Sequence, residues 1–293
     1  MPRLSDEELA SRRFGLGSTD IVEANGLAPW KGAGPMRLFC EKTGILSPDD
    51  EDEEDRDDDW LEWGHLQEPV IAQWYEDKRG TPLMMGGRVE HSQWPHLWAT
   101  LDRKVIGESR LVEIKNVGSP AMYRHWDTSS PEGIPDYVRA QVQVAMCFAG
   151  CLETDVVASI GGRPPHVWRV FQDSELSELL IAGALKFWQL VKDGTPPPLD
   201  ATPASRVYLR AKYPRDERPM IEADEAAENI AGQRIDFGKD AKDAARHLAQ
   251  ADTLLMNACG DARGVTGNGW KFTWKIDKNG VRRSRFTGSG VEE

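Results

Sequence analysis

The chain has 293 residues and a mass of 32.8 kDa, enough for one large domain or two modest ones with a core that needs no staples. Hydrophobic residues at 40% and charged residues at 29% exclude a largely disordered chain; no apolar run approaches the roughly 18 residues of a membrane span, and Met1–Ala10 is too polar for a signal peptide. The net charge of -12 counts against nucleic acid only until it is mapped: Asp49–Asp59 (DDEDEEDRDDD) contributes -9 and Arg263–Phe286 contributes +6, so DNA binding stays open.

In chain order, Gly17-Ser18-Thr19-Asp20 ahead of an apolar-periodic run reads as a helix N-cap, with Pro29 marking the far boundary. Pro35–Thr43 reads as a second short helix closed by Gly44, and the acidic run follows as a solvated loop. From Trp60 the helical pattern returns, with Leu61, Gly64, Glu68, Ile71 and Tyr75 near one face. Pro69 lacks an N–H and crowds the preceding turn, so it should bend or restart that helix. Arg88–Lys115 reads as strands with Gly107-Glu108 as a two-residue, Gly-first hairpin turn. A helix over Asp136–Ala149, strands over Asp155–Ile160 and His166–Phe171, and an apolar helix over Ser174–Val191 come next. Pro196-Pro197-Pro198 marks the expected domain boundary, dividing the chain into 1–199 and 200–293. Beyond it lie a basic stretch over Ser205–Pro214, an acidic helix over Ile221–Ile230 and a helix over Asp240–Ala258 closed by Gly260. The tail from Trp270 to Phe286 has hairpin character around Asp277–Gly280.

The chemistry concentrates in Leu101-Asp102 and Val112-Glu113-Ile114-Lys115. A hairpin turning at Gly107-Glu108 pairs positions that sum to 215, which sets Asp102 opposite Glu113 with their Cβ atoms about 5 Å apart. Like charges placed there cost stability unless a cation lies between them, and hard oxygen donors suit Mg²⁺ or Mn²⁺. Lys115 lies two residues beyond Glu113 on the same strand face and reaches the same place.

In these residues the chain resembles the metal-dependent PD-(D/E)XK nucleases, in particular the YqaJ-like viral recombinase and lambda-type phage exonuclease branch. The pattern is an Asp on one strand, E-x-K on the next, then a helix with Gln, here Asp102, Glu113-Ile114-Lys115 and Gln141-Val142-Gln143. Trp63–Glu68 matches an upstream W-G-x-x-x-E element and Gly17–Asp20 an N-terminal G-S-[ST]-D helix start. Leu101 stands where the family has Pro. The resemblance implies an α/β core with a mixed sheet flanked by helices at 1–199, and an accessory helical and β-hairpin region at 200–293.

It further implies that Asp102 and Glu113 ligate metal with the carbonyl of Ile114, that Lys115 positions or activates the attacking water, and that Glu68 helps hold a metal or its water. One Gln of the pair would complete the site; two helical residues two positions apart diverge by ~200°, so only one points inward, and the family alignment favours Gln143. Arg12 or Arg13 with Ser18 or Thr19, together with Thr100, are the matching candidates for DNA and its 5′ phosphate, and an anion at a helix N-terminus makes independent electrostatic sense. The implied activity is Mg²⁺-dependent degradation of linear double-stranded DNA from an end, 5′ to 3′, leaving single strands for recombination. A single-strand annealing protein is the implied partner and a homo-oligomer, a trimer, the implied assembly, in the cytoplasm. An endonuclease or CRISPR-type end-trimming nuclease on the same core, and a non-cutting DNA-binding scaffold, are the alternatives.

Each motif has a plainer reading. E-x-K on a strand is commonly a surface salt-bridge pattern, Glu68 an ordinary acid near a helix start, and Ser18 and Thr19 simple caps. His65, His91 and His96 have no metal-binding spacing. Cys40, Cys147, Cys151 and Cys259 contain no C-x-x-C pair and read as free thiols. Trp270, Phe272, Trp274 and Phe286, interleaved with Lys271, Lys275, Arg282, Arg283 and Arg285, read equally as a DNA-contacting ribbon or as a small hairpin packed on its aromatics.

Overall fold

The computed structural model describes residues 12–46, 58–216 and 219–288; most of the acidic run, at 49–57, lies outside them. The chain divides into two compact units, Met1–Arg215 and Asp216–Glu293.

The first unit is built on the strand pattern between Leu83 and Phe171. Strands β1 (Leu83–Glu90), β2 (Trp98–Val105), β3 (Arg110–Val117), β4 (Glu153–Ile160) and β5 (His166–Phe171) form one sheet in the order 1-2-3-4-5. All neighbours are antiparallel except β3 and β4, which run parallel. Parallel neighbours need a crossover, and it contains a short helix, α4 (Pro120–Tyr123), and the long α5 (Asp136–Ala149). The β2–β3 register sums to 215, as the spacing requires, with Arg103 opposite Val112 and Lys104 opposite Leu111. The connection is a four-residue loop rather than a two-residue turn. The Glu108 N–H closes onto the Val105 carbonyl at 3.4 Å, which puts Gly107 (φ 83°) third in the turn, where a positive φ is needed.

Helices α1 (Ser18–Ala24), α2 (Pro35–Thr43), α3 (Asp58–Arg79), α6 (Ser174–Asp193) and α7 (Pro203–Lys212) complete the unit. A core of Val112, Ile114, Val157 and Val105 packs under Ile71, Ala72 and Tyr75 of α3. A second core sets Leu101, Leu111, Val156 and Trp168 against Val138, Val142 and Met146 of α5. The remaining helices bury Ile21, Phe39, Ile181 and Phe187 together with Val144 of α5.

Three local expectations are corrected. Helix α3 continues through Pro69 without restarting; the carbonyl that Pro69 leaves without an N–H belongs to exposed His65. Helix α1 ends at Asn25 and Gly26, not at Pro29, because the Asn25 amide donates to the carbonyls of Ile21 and Leu180 and Gly26 takes φ 71°. The first unit continues past the triple proline because Ala204 of α7 is buried in the core and Tyr208 packs edge-on against Phe39.

In the second unit the two expected helices are a single one, α8 (Glu225–Cys259), started by the Asp224 carboxylate accepting the Ala227 N–H. Gly232 and Gly238 fall inside it, each at a cost of only about 1 kcal/mol. Three antiparallel strands follow, β6 (Gly264–Gly267), β7 (Trp270–Ile276) and β8 (Arg282–Gly288). In the β7–β8 turn, the Asp277 carboxylate accepts the N–H groups of Asn279 and Val281.

Candidate active site

The β2–β3 ladder ends at Arg103 and Val112, one rung short of Asp102 and Glu113. In place of the next backbone bond, the Asp102 carboxylate accepts the Ile114 N–H at 2.8 Å. Asp102 is thereby fixed beside the E-x-K strand by the strand's own backbone. Lys115 Nζ donates to Glu113 Oε1 at 2.7 Å and to Gln141 Oε1 at 3.0 Å. Two carboxylates, an amine and an amide from β2, β3 and α5 therefore converge.

The electrostatics follow from burial. Glu113 is 5% exposed. Desolvation, then Glu113 and Glu68, raise the Asp102 carboxyl to about 8 against the opposing pull of Lys115 and the Ile114 N–H. Burial disfavours the Lys115 charge, but Glu113 and Asp102 outweigh it and hold the ammonium above the ordinary lysine value. A second positive group at this place would relieve the carboxylate pair. Mg²⁺ commonly takes only one or two protein carboxylates and keeps its waters, so Asp102 and Glu113 with the Ile114 carbonyl fit as its ligands. Among the described residues no cluster of three His, Cys, Asp or Glu side chains is arranged around a metal position.

The same geometry places Glu68 beside this pair, held by an arginine. Its carboxylate is 8% exposed and accepts from Arg103 Nη1, while the same nitrogen donates to the Asp102 carbonyl at 2.7 Å. Arg103 was not singled out in the sequence, although a cation directly after the Asp expected to ligate metal was the available signal. Glu68 stays near enough to Asp102 to raise its pKa.

Of the two glutamines, the structure brings Gln141 and not Gln143 to Lys115. Gln143 is 2% exposed, donates to the Phe171 carbonyl at 2.8 Å and accepts the Asp173 N–H at 2.8 Å. It ties the end of β5 to the start of α6, and Gln141 is the one beside Lys115. Tyr137, one turn before Gln141, is a further neighbour: burial raises its phenol, and the Lys115 charge pulls the other way.

The N-terminal candidates sit at the start of β2. Leu16 bridges Leu97, a close approach that Gly15 permits, since a Cβ there would fall 2.2 Å from the His96 carbonyl. The N-cap of α1 is Gly17, whose N–H donates to Asp20 Oδ2 at 3.0 Å. Ser18 is buried and Thr19 exposed within the first turn, so neither is the cap. Buried Lys42 donates to Asp20 at 2.8 Å and to the Arg12 carbonyl at 2.8 Å. The Arg12 guanidinium lies 3.9 Å from Asp20, and Arg13 is exposed. Thr100 is exposed on β2 between Trp98, over which Arg88 stacks at 4.1 Å, and Asp102. Trp98 to Asp102 is about 13 Å along the strand.

The histidines and cysteines take their plainer roles. His91 Nδ1 accepts the N–H groups of Gln93 and Trp94, and His96 stacks on Trp188. All four cysteines are free thiols.

Residues 9–152 match the model of the YqaJ-like viral recombinase domain. Over 217 residues the chain is 28% identical to the uncharacterized protein YqaJ of Bacillus subtilis (strain 168), covering 72% of this chain and 64% of that one. The chain thus spans less than two thirds of that relative. Among solved structures it is similar to LHK-Exo in complex with dAMP, at 18% identity and a TM-score of 0.51, over 71% of this chain and 97% of that one. The alkaline exonuclease LHK-Exo from Laribacter hongkongensis matches at 16% identity and 0.49 over the same shares. The likeness to the dAMP complex establishes the fold, an α/β core with a five-stranded mixed sheet flanked by helices.

Proposed function

We propose, for a chain whose residues 9–152 belong to the YqaJ-like viral recombinase domain family, that it is a Mg²⁺-dependent exonuclease. It degrades linear double-stranded DNA 5′ to 3′ and leaves single strands for homologous recombination, with Mn²⁺ as a substitute metal. The observation that carries this reading is the Asp102 carboxylate anchored on the Ile114 N–H, with Glu113 and Lys115 on the same strand. It is the family's metal-ligating motif in a geometry that disfavours ionised Asp102 until a further positive charge is present.

Asp102, Glu113 and the Ile114 carbonyl would hold the metal, with Glu68 exchanging Arg103 for a metal-bound water. Bound Mg²⁺ supplies a lowered pKa for water and neutralisation of the phosphate. Lys115, kept charged by Glu113 and aimed by Gln141, orients the attacking water and offsets the charge that develops on the phosphoryl oxygens. Arg12, Arg13, Ser18, Thr19 and Thr100 form the candidate seat for the 5′ phosphate, up-strand of the reacting centre. A homotrimer around the duplex and a single-strand annealing partner complete the proposal.

The test is digestion of end-labelled linear and closed circular duplexes with and without Mg²⁺. Loss of linear DNA alone, faster from 5′-phosphate than from 5′-hydroxyl ends, is expected; Lys115→Ala should cut at least 100-fold more slowly yet still bind. Nicked circles would make it an endonuclease, and intact DNA with every divalent cation a scaffold.

A further inference from the structure

The C-terminal sheet sorts its side chains by chemistry. The β7–β8 register pairs Lys271 with Thr287, Thr273 with Arg285 and Lys275 with Arg283, so these six residues share one face. Thr266 of β6 joins them opposite Lys271. The other face carries Trp270, Phe272, Trp274 and Phe286. There Phe272 is 1% exposed and Trp270 stacks on Phe286 at 5.9 Å. Arg282 lies 5.5 Å over the Trp274 ring and donates to the carbonyls of Gly260, Asp261 and Ala262 just after α8. The aromatic face is therefore the packed one. Lys271, Lys275, Arg283, Arg285, Thr266 and Thr287 are exposed.

Like charges are set side by side on this face. Lys275 and Arg283 are directly opposed cations, with Arg285 on the adjacent diagonal. The Asp277 carboxylate lies 2.6 Å from Arg283. Charge is also segregated within the unit: α8 holds six acids against four Lys and Arg, while the sheet face is all cation and threonine.

We infer that the polar face of β6–β8 is a duplex DNA-binding surface that engages backbone phosphates outside the active site. Lysine and arginine side chains with threonine hydroxyls between them suit contacts to backbone phosphates. Single-stranded DNA is the poorer fit, since it is held by exposed aromatic platforms and these rings face the other way. The inference rests on the nuclease reading only for the choice of polyanion.

The test uses the full-length chain in EDTA, with anisotropy of an internally labelled duplex read across a salt series, so cutting is not the readout. Lys271→Ala/Lys275→Ala/Arg285→Ala should bind at least tenfold more weakly, with the slope of log affinity against log salt reduced by about 2–3. Arg234→Ala/Lys239→Ala/Arg246→Ala on α8 removes the same charge and should change affinity less than twofold. Wild-type binding by the sheet variant, equal weakening by both triples, or a loss seen only with single strands would each overturn the inference. If the sheet variant also melts lower, the charge-keeping set Lys271→Arg/Lys275→Arg/Arg285→Lys decides: restored binding supports the surface, and continued loss removes it.

Discussion

Asp102 is a carboxyl held where its ionised form is disfavoured twice, by lost hydration and by Glu113 and Glu68. An unfolded Asp titrates near ~4, whereas this one is pushed up to about 8. Between those values the folded, metal-free protein keeps a proton that the unfolded chain releases, so stability falls as pH rises through that window. On the proposed reading a divalent cation would bind the ionised form and oppose the loss. In EDTA the melting temperature should therefore drop from about pH 5 to about pH 8, and the increase produced by Mg²⁺ should be larger at the alkaline end. Asp102→Asn removes the titrating group and should flatten both trends. A variant that kept the wild-type slope would place the responsible proton elsewhere. Arg103 fits the same logic: with Glu68 and the Asp102 carbonyl on one nitrogen, it gives a third acid a partner beside the pair.

At the scale of elements, α3 is what brings Glu68 to the sheet, and its anchor lies two turns further along. Tyr75, fully buried, donates its hydroxyl to Asp155 Oδ2 at 2.5 Å. Asp155 also accepts from Arg110 at 3.2 Å and from Arg169 at 2.6 and 3.0 Å. Burial alone would raise the Asp155 carboxyl, but these donors together hold it below the usual carboxylate range. Tyr75→Phe forfeits one charged hydrogen bond and should cost about 1.5–3 kcal/mol. Asp155→Ala strands two arginines and should cost about 3–5 kcal/mol in chemical denaturation. Equal, negligible losses would mean that apolar packing alone seats the helix. Much of this level was legible in the sequence, because hydrophobic period and turn residues act locally. The 215 register, α2, α5, β5 and the β7–β8 hairpin all rest on such signals. What stayed hidden depended on distant partners. Gln143 differs from Gln141 only in facing Phe171 and Asp173 across the fold. Glu68 met an arginine from another element, and β6, with two glycines in four residues, carries almost no strand signal.

At the scale of the molecule, the question is where the first unit stops. The triple proline suggests residue 199, whereas α7 belongs structurally to what precedes it. Ala204 is 4% exposed within the helical core, and the Cys40 thiol lies 3.8 Å from its carbonyl. Asp200 starts the helix by accepting from the Thr202 N–H and the Ser205 hydroxyl. A chain ending at residue 199 uncovers Phe39 and Cys40 and loses that start, so it should be less stable than one ending at residue 215. Uncovering about 100 Å² of apolar surface costs about 2.5 kcal/mol, before the lost contacts of Val207 and Tyr208 are counted. The longer piece should melt cooperatively and keep its cutting of linear duplex at saturating DNA, because every residue of the candidate active site lies within it. The shorter piece should melt several degrees lower. Equal melting of the two would return the boundary to the prolines and leave α7 as a passenger on the core.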